Sequence, residues 1–295
     1  STESIEVIRG NITDSKAVNL AMKGIGTVFH LAAVVGDWGK PEWFEQITIQ
    51  GTQNVLQAAL SNQSRLLLVS SIVVYGDAIG RNLLCREVQP YGNALGYYSW
   101  SKQLQEKLTW EYFKKHKLPM SIVRPANVYG PGSKPWIHDI LTQVRKNLPV
   151  LINSGNQVAG LVYVDNVVDV LIRAASFPNA LGRAYNASDG THVTWRDYIS
   201  SLAKFAGCNS PKSIPRKIAK LGAYGCETLW KLTHQTQRPP ITHEALNLLG
   251  SHCRIPMERA AQELEYSPLI TYEEGMKAIE HYVRTPTLPC PTRGR

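Results

Sequence analysis

The sequence has no run of about 18 uncharged apolar residues, so it predicts no helix that crosses a membrane. Its first residues, STESIEVIRG, lack the charged start and apolar stretch of a secretory signal. The 5 cysteines are odd in number and widely scattered, with no paired spacing suited to zinc or to a disulfide frame. These absences predict reduced thiols and a cytoplasmic protein.

Acidic residues are the minority charge, with 23 Asp and Glu against 32 Lys and Arg, giving a formal net charge of +9. This surplus favours anionic partners such as a dinucleotide, an acyl carrier or a lipid surface. No basic run interleaved with aromatic residues occurs, so nucleic acid is not expected as a partner. The histidines of the C-terminal part have no helical i, i+4 partner, and no metal site is predicted.

Apolar runs typical of β-strands alternate with helical patterns through the first 130 residues. Strands are predicted at 4–10, 27–34, 65–76 and 119–130, and helices at 14–24, 44–62 and 98–116. Each strand is apolar nearly throughout, which is typical of a parallel sheet covered on both faces. The predicted fold class is therefore α/β, with a doubly wound parallel sheet.

Sheets of this kind bind ligands beyond the carboxyl ends of their strands. Ser71 lies at one predicted strand end and Tyr98 opens the helix that follows, so both can reach the same crevice. Lys102 follows Tyr98 by four positions, which puts the phenol and the ammonium on one helical face. The ammonium would lower the pKa of the phenol, and the Ser71 hydroxyl could bind the same substrate oxygen. The three side chains predict a site that interconverts an alcohol and a ketone.

Six features in register across residues 5 to 175 resemble the extended short-chain dehydrogenase/reductase family. They are FHLAA, GTQNVLQAA, Ser71, the Tyr-x-x-x-Lys segment YYSWSK, RPANVYGPG and LVYVDNVVDVL. The resemblance implies a Rossmann-like fold and NAD or NADP as cofactor, with Tyr98 as general acid/base and Lys102 also holding the nicotinamide ribose. It implies cofactor contacts from Asn11, Ile12, Leu31, Ala32, Ala33, Tyr98, Lys102, Pro125 and Val128, and substrate contacts from Asn127 and Trp38.

The loop VVGDWGKPEWF and the C-terminal part resemble one branch of that family, the 3β-hydroxysteroid dehydrogenases. Its relatives include sterol-4-carboxylate 3-dehydrogenases and 2-alkyl-3-oxoalkanoate reductases. This resemblance implies an oxidoreductase that interconverts a 3-hydroxy and a 3-keto group on a steroid-like or lipid-like substrate. Two alternatives stay open: a nucleotide-sugar epimerase or dehydratase, which shares the three site residues, and a non-catalytic binding subunit.

The family's Gly-x-x-Gly-x-x-Gly segment, which would follow its first strand, does not occur in this sequence. The sequence opens where the family has its third strand, so we expect an N-terminally truncated domain without its first βαβ unit. That unit would hold the pyrophosphate of the cofactor, and the chain alone is expected to bind NAD(H) and NADP(H) weakly. The predicted organisation is a dinucleotide-binding domain over 1–130 with a return segment near 158–187, a smaller, mostly helical substrate region over 131–157 and 188–284, and a disordered tail over 285–295.

Residues 212–238 combine apolar residues at helical spacing with six basic residues and the single acid Glu227. This pattern predicts a basic amphipathic helix. Such a helix can close over a substrate cleft as a lid, or it can lie on a membrane surface and let a lipid substrate enter. Peripheral membrane contact through 212–238 and a homodimer are both left open.

Overall fold

The computed structural model describes residues 5–285, and a four-stranded parallel sheet lies at its centre. The strands of the described residues are β1 (Thr27–His30), β2 (Arg65–Val69), β3 (Met120–Pro125), β4 (Asn127–Tyr129), β5 (Pro149–Ile152), β6 (Leu161–Tyr163), β7 (Arg183–Ala187) and β8 (Lys212–Ile214). The helices are α1 (Ser15–Ala21), α2 (Pro41–Trp43), α3 (Gly51–Ser61), α4 (Asp77–Gly80), α5 (Tyr97–His116), α6 (Asp139–Arg145), α7 (Val164–Ser176), α8 (Trp195–Phe205), α9 (Arg216–Leu232), α10 (His243–Leu249), α11 (Glu258–Glu263) and α12 (Tyr272–Arg284). Short 3₁₀ segments cover Ile72–Tyr75 and Pro178–Ala180, and π-helical segments cover Phe44–Gln50 and Lys134–His138.

The central sheet has the order β1, β2, β3, β7, and every neighbouring pair is parallel. Two smaller parallel pairs, β4 with β6 and β5 with β8, lie outside it. The predicted parallel sheet is thereby confirmed. Strand β7, which comes from the predicted return segment, pairs with β3. The division of the chain into domains stays a prediction, and residues 286–295 of the predicted tail lie outside the described residues.

Helices cover both faces of the sheet because side chains of a strand alternate between them. Leu66 and Leu68 of β2 belong to a buried cluster with residues of α3, while Leu67 belongs to the cluster that contains the buried residues of α7. Helix α5 adds Leu108 and Phe113 to the first cluster. The sheet is therefore doubly wound, as predicted, with α3 and α5 on one face and α7 on the other.

All four predicted strands differ from the structure, and the strand predicted at 27–34 ends at His30. The strand predicted at 4–10 is wrong over residues 5–10, which form no regular structure, and Ile5 is 89% exposed. Its apolar pattern fits a strand, but no described strand pairs with it. The strand predicted at 65–76 ends at Val69, because Ser71 then caps the 3₁₀ segment by accepting from Val73 N. The strand predicted at 119–130 divides at Ala126 into β3 and β4, which lie in different sheets.

A buried ion pair joins α5 to the central sheet. Glu106 of α5 and Arg124 of β3 are both almost fully buried, and the guanidinium holds the carboxylate through two bonds, 2.9 Å from Nε and 2.7 Å from Nη2. The Tyr91 hydroxyl donates to Glu106 Oε2 (2.9 Å), and Arg124 Nη1 donates to the Tyr75 hydroxyl (3.1 Å). Because each charge has several partners, the pair fixes the position of α5 across the sheet.

None of the helices within residues 5–285 combines the length and the apolar character needed to cross a membrane.

Removing one member of the ion pair tests its importance. We expect Glu106→Gln to lower the free energy of unfolding by about 3–5 kcal/mol, because Arg124 would keep a buried charge without its counter-ion. Chemical denaturation is the measurement. Glu111→Gln is the matched control on the same helix, since its exposed pair with Lys115 should contribute nothing measurable. Equal stability of the two variants would contradict this account.

Candidate active site

The three predicted catalytic side chains lie at the end of the sheet where the parallel strands finish. Ser71 lies two residues after the end of β2, and Tyr98 and Lys102 belong to the first two turns of α5. The ammonium of Lys102 donates to Val69 O, the last residue of β2, at 2.9 Å. The Ser71 hydroxyl lies close enough to the Tyr98 phenol to lower its pKa. The structure therefore brings Ser71, Tyr98 and Lys102 together.

Lys102 is a buried cation held by a chain of polar side chains. Besides Val69 O, its ammonium donates to Gln105 Oε1 (2.9 Å), and Gln105 Nε2 donates to Thr52 Oγ1 (2.8 Å). His30, at the end of β1, lies 2.8 Å from the same threonine hydroxyl. Burial lowers the pKa of Lys102 to about 8, against the opposing charge of Glu106. An ammonium has three N–H groups, so one donor remains for a ligand beyond these two acceptors.

The expected effect of Lys102 on Tyr98 is contradicted. The pKa of the Tyr98 phenol is raised to about 12, because burial outweighs the Ser71 hydrogen bond and the Glu244 charge raises it further. Ser71, and not Lys102, is the neighbour that acts against this rise. In the structure as described, Tyr98 is therefore a protonated phenol at neutral pH.

His30 has a supporting position in this site. Burial and the nearby Lys102 charge lower the pKa of the His30 imidazole to about 3, so the ring is neutral. It contacts Thr52 and lies 3.3 Å from Gln105 Nε2. Within the described part of the chain, no three His, Cys, Asp or Glu side chains form a group that could hold a metal ion.

The residues expected to contact the cofactor's adenine and ribose lie before α1 and after β1. Asn11 is exposed and its side chain accepts from Thr13 N (3.0 Å), while Ile12 O accepts from Asn54 Nδ2 (3.0 Å). Leu31 is 57% exposed directly after β1, followed by the exposed Ala32 and the half-buried Ala33. Leu31, Ala32 and Ala33 follow β1 at the edge of the sheet where Ser71 follows the neighbouring β2.

The remaining expected contacts lie around the end of β3 and in the loop after β1. Pro125 is buried and Val128 half-buried. The buried amide of Asn127 donates to Ala159 O (2.6 Å), which ties it to the backbone. Trp38 is half-buried, and its indole donates to Gln235 O (3.0 Å). Both proposed substrate residues therefore have structural partners in the described chain, and their contact with substrate stays a prediction.

Sequence reasoning missed a carboxyl group beside Tyr98. Glu244, at the start of α10, is only 4% exposed, and neither carboxyl oxygen has a hydrogen-bond partner in the described residues. Burial is the main cause that raises its pKa to about 8, and the charges of Asp37 and Glu227 add to the rise. No local signal distinguishes Glu244 from an ordinary first-turn acid, because its neighbours come from distant parts of the sequence.

Comparisons with known proteins identify the family. The family model described as NAD dependent epimerase/dehydratase family matches residues 1–188. The chain belongs to this family. This match confirms the family inferred from the motifs. It assigns the chain to the class of enzymes that depend on NAD or NADP.

Two relatives and one solved structure illustrate the likeness. The chain is 29% identical over 283 residues to a 2-alkyl-3-oxoalkanoate reductase of Stenotrophomonas maltophilia, covering 92% of this chain and 85% of that protein. It is 25% identical to 3beta-hydroxysteroid-dehydrogenase/decarboxylase isoform 1 of Arabidopsis thaliana, covering 92% of this chain and 65% of that protein. A UDP-glucuronic acid 4-epimerase from Bacillus cereus, solved with UDP-glucuronic acid and NAD, shares the fold at a TM-score of 0.70 and 22% identity, covering 94% of this chain and 80% of that one.

The site residues fit part of a nicotinamide dinucleotide. Lys102 retains a donor for a ribose hydroxyl, and the buried hydroxyl of Ser70, beside Ser71, has no partner among the described residues. The exposed Leu31 and Ala32 offer an apolar surface at the same edge. Gly-x-x-Gly-x-x-Gly, the glycine pattern that would cradle a pyrophosphate, does not occur in the sequence. The residues present therefore fit the nicotinamide, the ribose and the adenine edge of the cofactor.

The buried carboxyl of Glu244 should make stability depend on pH. Its pKa rises from 4.5 to about 8 on folding, so the folded chain retains a proton there that the unfolded chain loses. As pH rises through that interval, wild type should lose stability relative to Glu244→Gln by at most about 1.4 kcal/mol per pH unit.

Chemical denaturation at a series of pH values measures this difference. The exposed Glu273→Gln should show no such trend and serves as the control. A difference between Glu244→Gln and wild type that stays constant from pH 4.5 to about 8 would contradict the raised pKa.

Proposed function

We propose that the chain is an NAD(P)-dependent oxidoreductase that interconverts a 3-hydroxy and a 3-keto group on a steroid-like or lipid-like substrate. The supporting observation is the placement of Lys102, a buried ammonium on the same helical face as Tyr98 and bonded to the last carbonyl of β2 beside Ser71. A buried ammonium is costly, and this one lies where the fold binds ligands.

Each side chain has a distinct task in this proposal. Tyr98 transfers the proton of the substrate hydroxyl, as acid in reduction and base in oxidation. Ser71 donates a hydrogen bond to the same substrate oxygen and stabilises the charge that develops on it. Lys102 would hold a ribose hydroxyl of the cofactor with its remaining donor. The nicotinamide, when bound, supplies or accepts the hydride.

The substrate class is supported by the relatives rather than by a described pocket. The reductase named above acts on 2-alkyl-3-oxoalkanoates by its name, and the plant relative is named a 3β-hydroxysteroid dehydrogenase/decarboxylase. Both names describe an apolar molecule with a hydroxyl or keto oxygen at position 3. Trp38 and Asn127 are the side chains that we propose to contact it.

Tyr98→Phe tests the catalytic assignment. Because the variant lacks only the hydroxyl, it should fold and bind cofactor as wild type does, and it should lose turnover by at least about 100-fold. Turnover is followed by NADH or NADPH absorbance with 3-ketoacyl and sterol substrates. Lys102→Met should additionally weaken cofactor binding, measured by calorimetry. Near wild-type turnover of Tyr98→Phe would rule out Tyr98 as the acid/base.

The two alternatives have their own outcomes in the same experiment. Activity on UDP-sugars and none on sterols or 3-ketoacyl substrates would identify a nucleotide-sugar epimerase or dehydratase. Absence of cofactor binding and of turnover on both panels would identify a non-catalytic binding subunit.

Helix α9 has a surface that suits contact with an anionic lipid membrane, and we propose this as its role. Only Ala219 and Ala223 of α9 are buried, whereas Leu221 and Leu232 are 73% and 74% exposed. Ile218 and Leu229 lie on the same exposed stripe. The exposed basic residues of the helix lie beside that stripe, namely Lys217, Lys220 and Lys231. Apolar side chains flanked by lysines match the acyl boundary and the anionic headgroups of a lipid surface.

Vesicle binding tests this surface. The chain should sediment with phosphatidylcholine vesicles that contain phosphatidylserine, less with phosphatidylcholine alone, and less at high salt. Leu221→Ser combined with Leu232→Ser should lower the affinity at least about tenfold, since two leucines leave the acyl region. Leu269→Ser, exposed outside α9, is the control. Self-association that depends on the two leucines would instead assign the surface to a homodimer and overturn the proposal.

A further inference from the structure

The first turn of α5, which carries Tyr98, begins without a side-chain cap of its own. Its N-cap residue is Gly96, which has no side chain to accept from the N–H groups that open a helix. The Ser99 hydroxyl cannot act as the cap for the N–H groups of the first turn, because it already accepts from Leu95 N (3.0 Å) and Gly96 N (3.2 Å). The donors of the first turn therefore depend on a group from elsewhere in the chain.

Glu244 supplies a carboxyl group at this place. A Cβ built on Gly96 would lie 2.4 Å from Glu244 Oε2, so only a glycine leaves room for the carboxyl. The side chain is more than nine-tenths buried, and neither oxygen has another partner among the described residues. The backbone N–H and the hydroxyl of Ser99 lie close enough to act against the rise in the pKa of Glu244, which is the effect expected of donors that face a carboxylate. Helix α5 is long, and the positive end of its dipole favours a negative charge there.

The N-terminus of α10, which carries Glu244, is held from two sides. Thr242 donates to Asp37 Oδ2 (2.5 Å), and Asp37 also forms a two-bond pair with Arg238. On the other side, His243 N donates to Glu227 of α9 (2.6 Å). These contacts tie the loop after β1, helix α9 and α10 into one group that fixes the carboxyl against α5.

We propose that Glu244 caps the N-terminus of α5 from the C-terminal part of the chain, and that it thereby acts as a positioning residue for Tyr98. The consequence for the reaction rests on the role proposed for Tyr98 above, whereas the cap itself does not. The fold offers a direct route for coupling: movement of α9 and α10 would move the carboxyl that holds the first turn of α5.

The charges around Glu244 affect the pH at which its carboxyl ionises and becomes a stronger acceptor for the N–H groups of α5. Asp37 from the loop after β1 and Glu227 from α9 disfavour its ionised form, and Arg238 lies close enough for Glu244 to raise the pKa of that guanidinium. From α5, Tyr98 faces it. His243, its neighbour on α10, pairs with Glu227. Ionised Glu244 is the stronger acceptor for the helix N–H groups, and it raises the pKa of Tyr98.

Amide resonances of the ¹⁵N-labelled chain test the cap without requiring activity. In wild type, the amide protons of Tyr98 and Ser99 should shift with a midpoint near the Glu244 pKa of about 8, because ionisation strengthens the acceptor. In Glu244→Gln this shift should vanish, while in the exposed Glu273→Gln it should persist. An absent shift in wild type, or the same shift in Glu244→Gln, would overturn the cap.

Turnover tests the effect on Tyr98. The oxidation rate of Glu244→Gln should rise at lower pH than that of wild type, because the charge that opposes the phenolate is removed while the side-chain carbonyl still accepts. Glu244→Leu, which loses the acceptor, should turn over about 10- to 100-fold more slowly with cofactor affinity unchanged. An unchanged pH profile in Glu244→Gln would overturn the positioning role. Full turnover in Tyr98→Phe would instead overturn the proposed function and leave the amide result standing.

Discussion

The buried pair of Glu106 and Arg124 is the interaction on which the geometry of the site depends. Helix α5 crosses the sheet with its polar face inward at this point, and that face would be costly to bury without the guanidinium. The two-bond geometry allows one orientation of α5 relative to β3. Arg124 also donates to the Tyr75 hydroxyl, which donates to Asn186 of β7 at 2.7 Å. One charge pair thus joins helix α5, two strands and the turn after β2.

The side chains proposed to be catalytic take their positions from that arrangement. Lys102 lies one helical turn before Glu106, so the orientation that satisfies the ion pair also directs the ammonium at Val69 O. Tyr98 lies one turn earlier again and meets the segment that follows β2. A helix rotated about its own axis would separate the lysine from the strand end and the phenol from Ser71. Structural and chemical requirements therefore coincide on one face of α5.

Local patterns in the sequence were sufficient for most strands and helices up to residue 130, and they placed Ser71, Tyr98 and Lys102 at one end of the sheet. Alternating apolar runs indicate strands wherever a neighbour pairs with them, and the i, i+4 spacing of Tyr98 and Lys102 is a property of the helix itself. Residues 5–10 show the limit, because an apolar run becomes a strand only if a partner strand is present. The contacts of Thr52 and His30 behind Gln105, and the carboxyl of Glu244, could not be predicted this way. They meet the site from β1, α3 and α10, and such contacts arise from tertiary packing.

The pKa of Tyr98 shows why proximity of charges alone does not determine chemistry. The spacing of Lys102 suggested a lowered phenol pKa, yet burial acts on both groups and moves their pKa values apart, that of Tyr98 up to about 12 and that of Lys102 down to about 8. Glu106 is the carboxylate that raises the pKa of Lys102, and it is also the partner of Arg124, so two buried cations share one anion. Near Lys102 and Arg124 positive charge therefore exceeds negative charge, whereas beside Tyr98 the Glu244 carboxyl opposes a further negative charge. An oxyanion that develops on a bound substrate close to Lys102 would balance this excess, and the Ser71 hydroxyl would stabilise it as a ketone is reduced or an alcohol is oxidised.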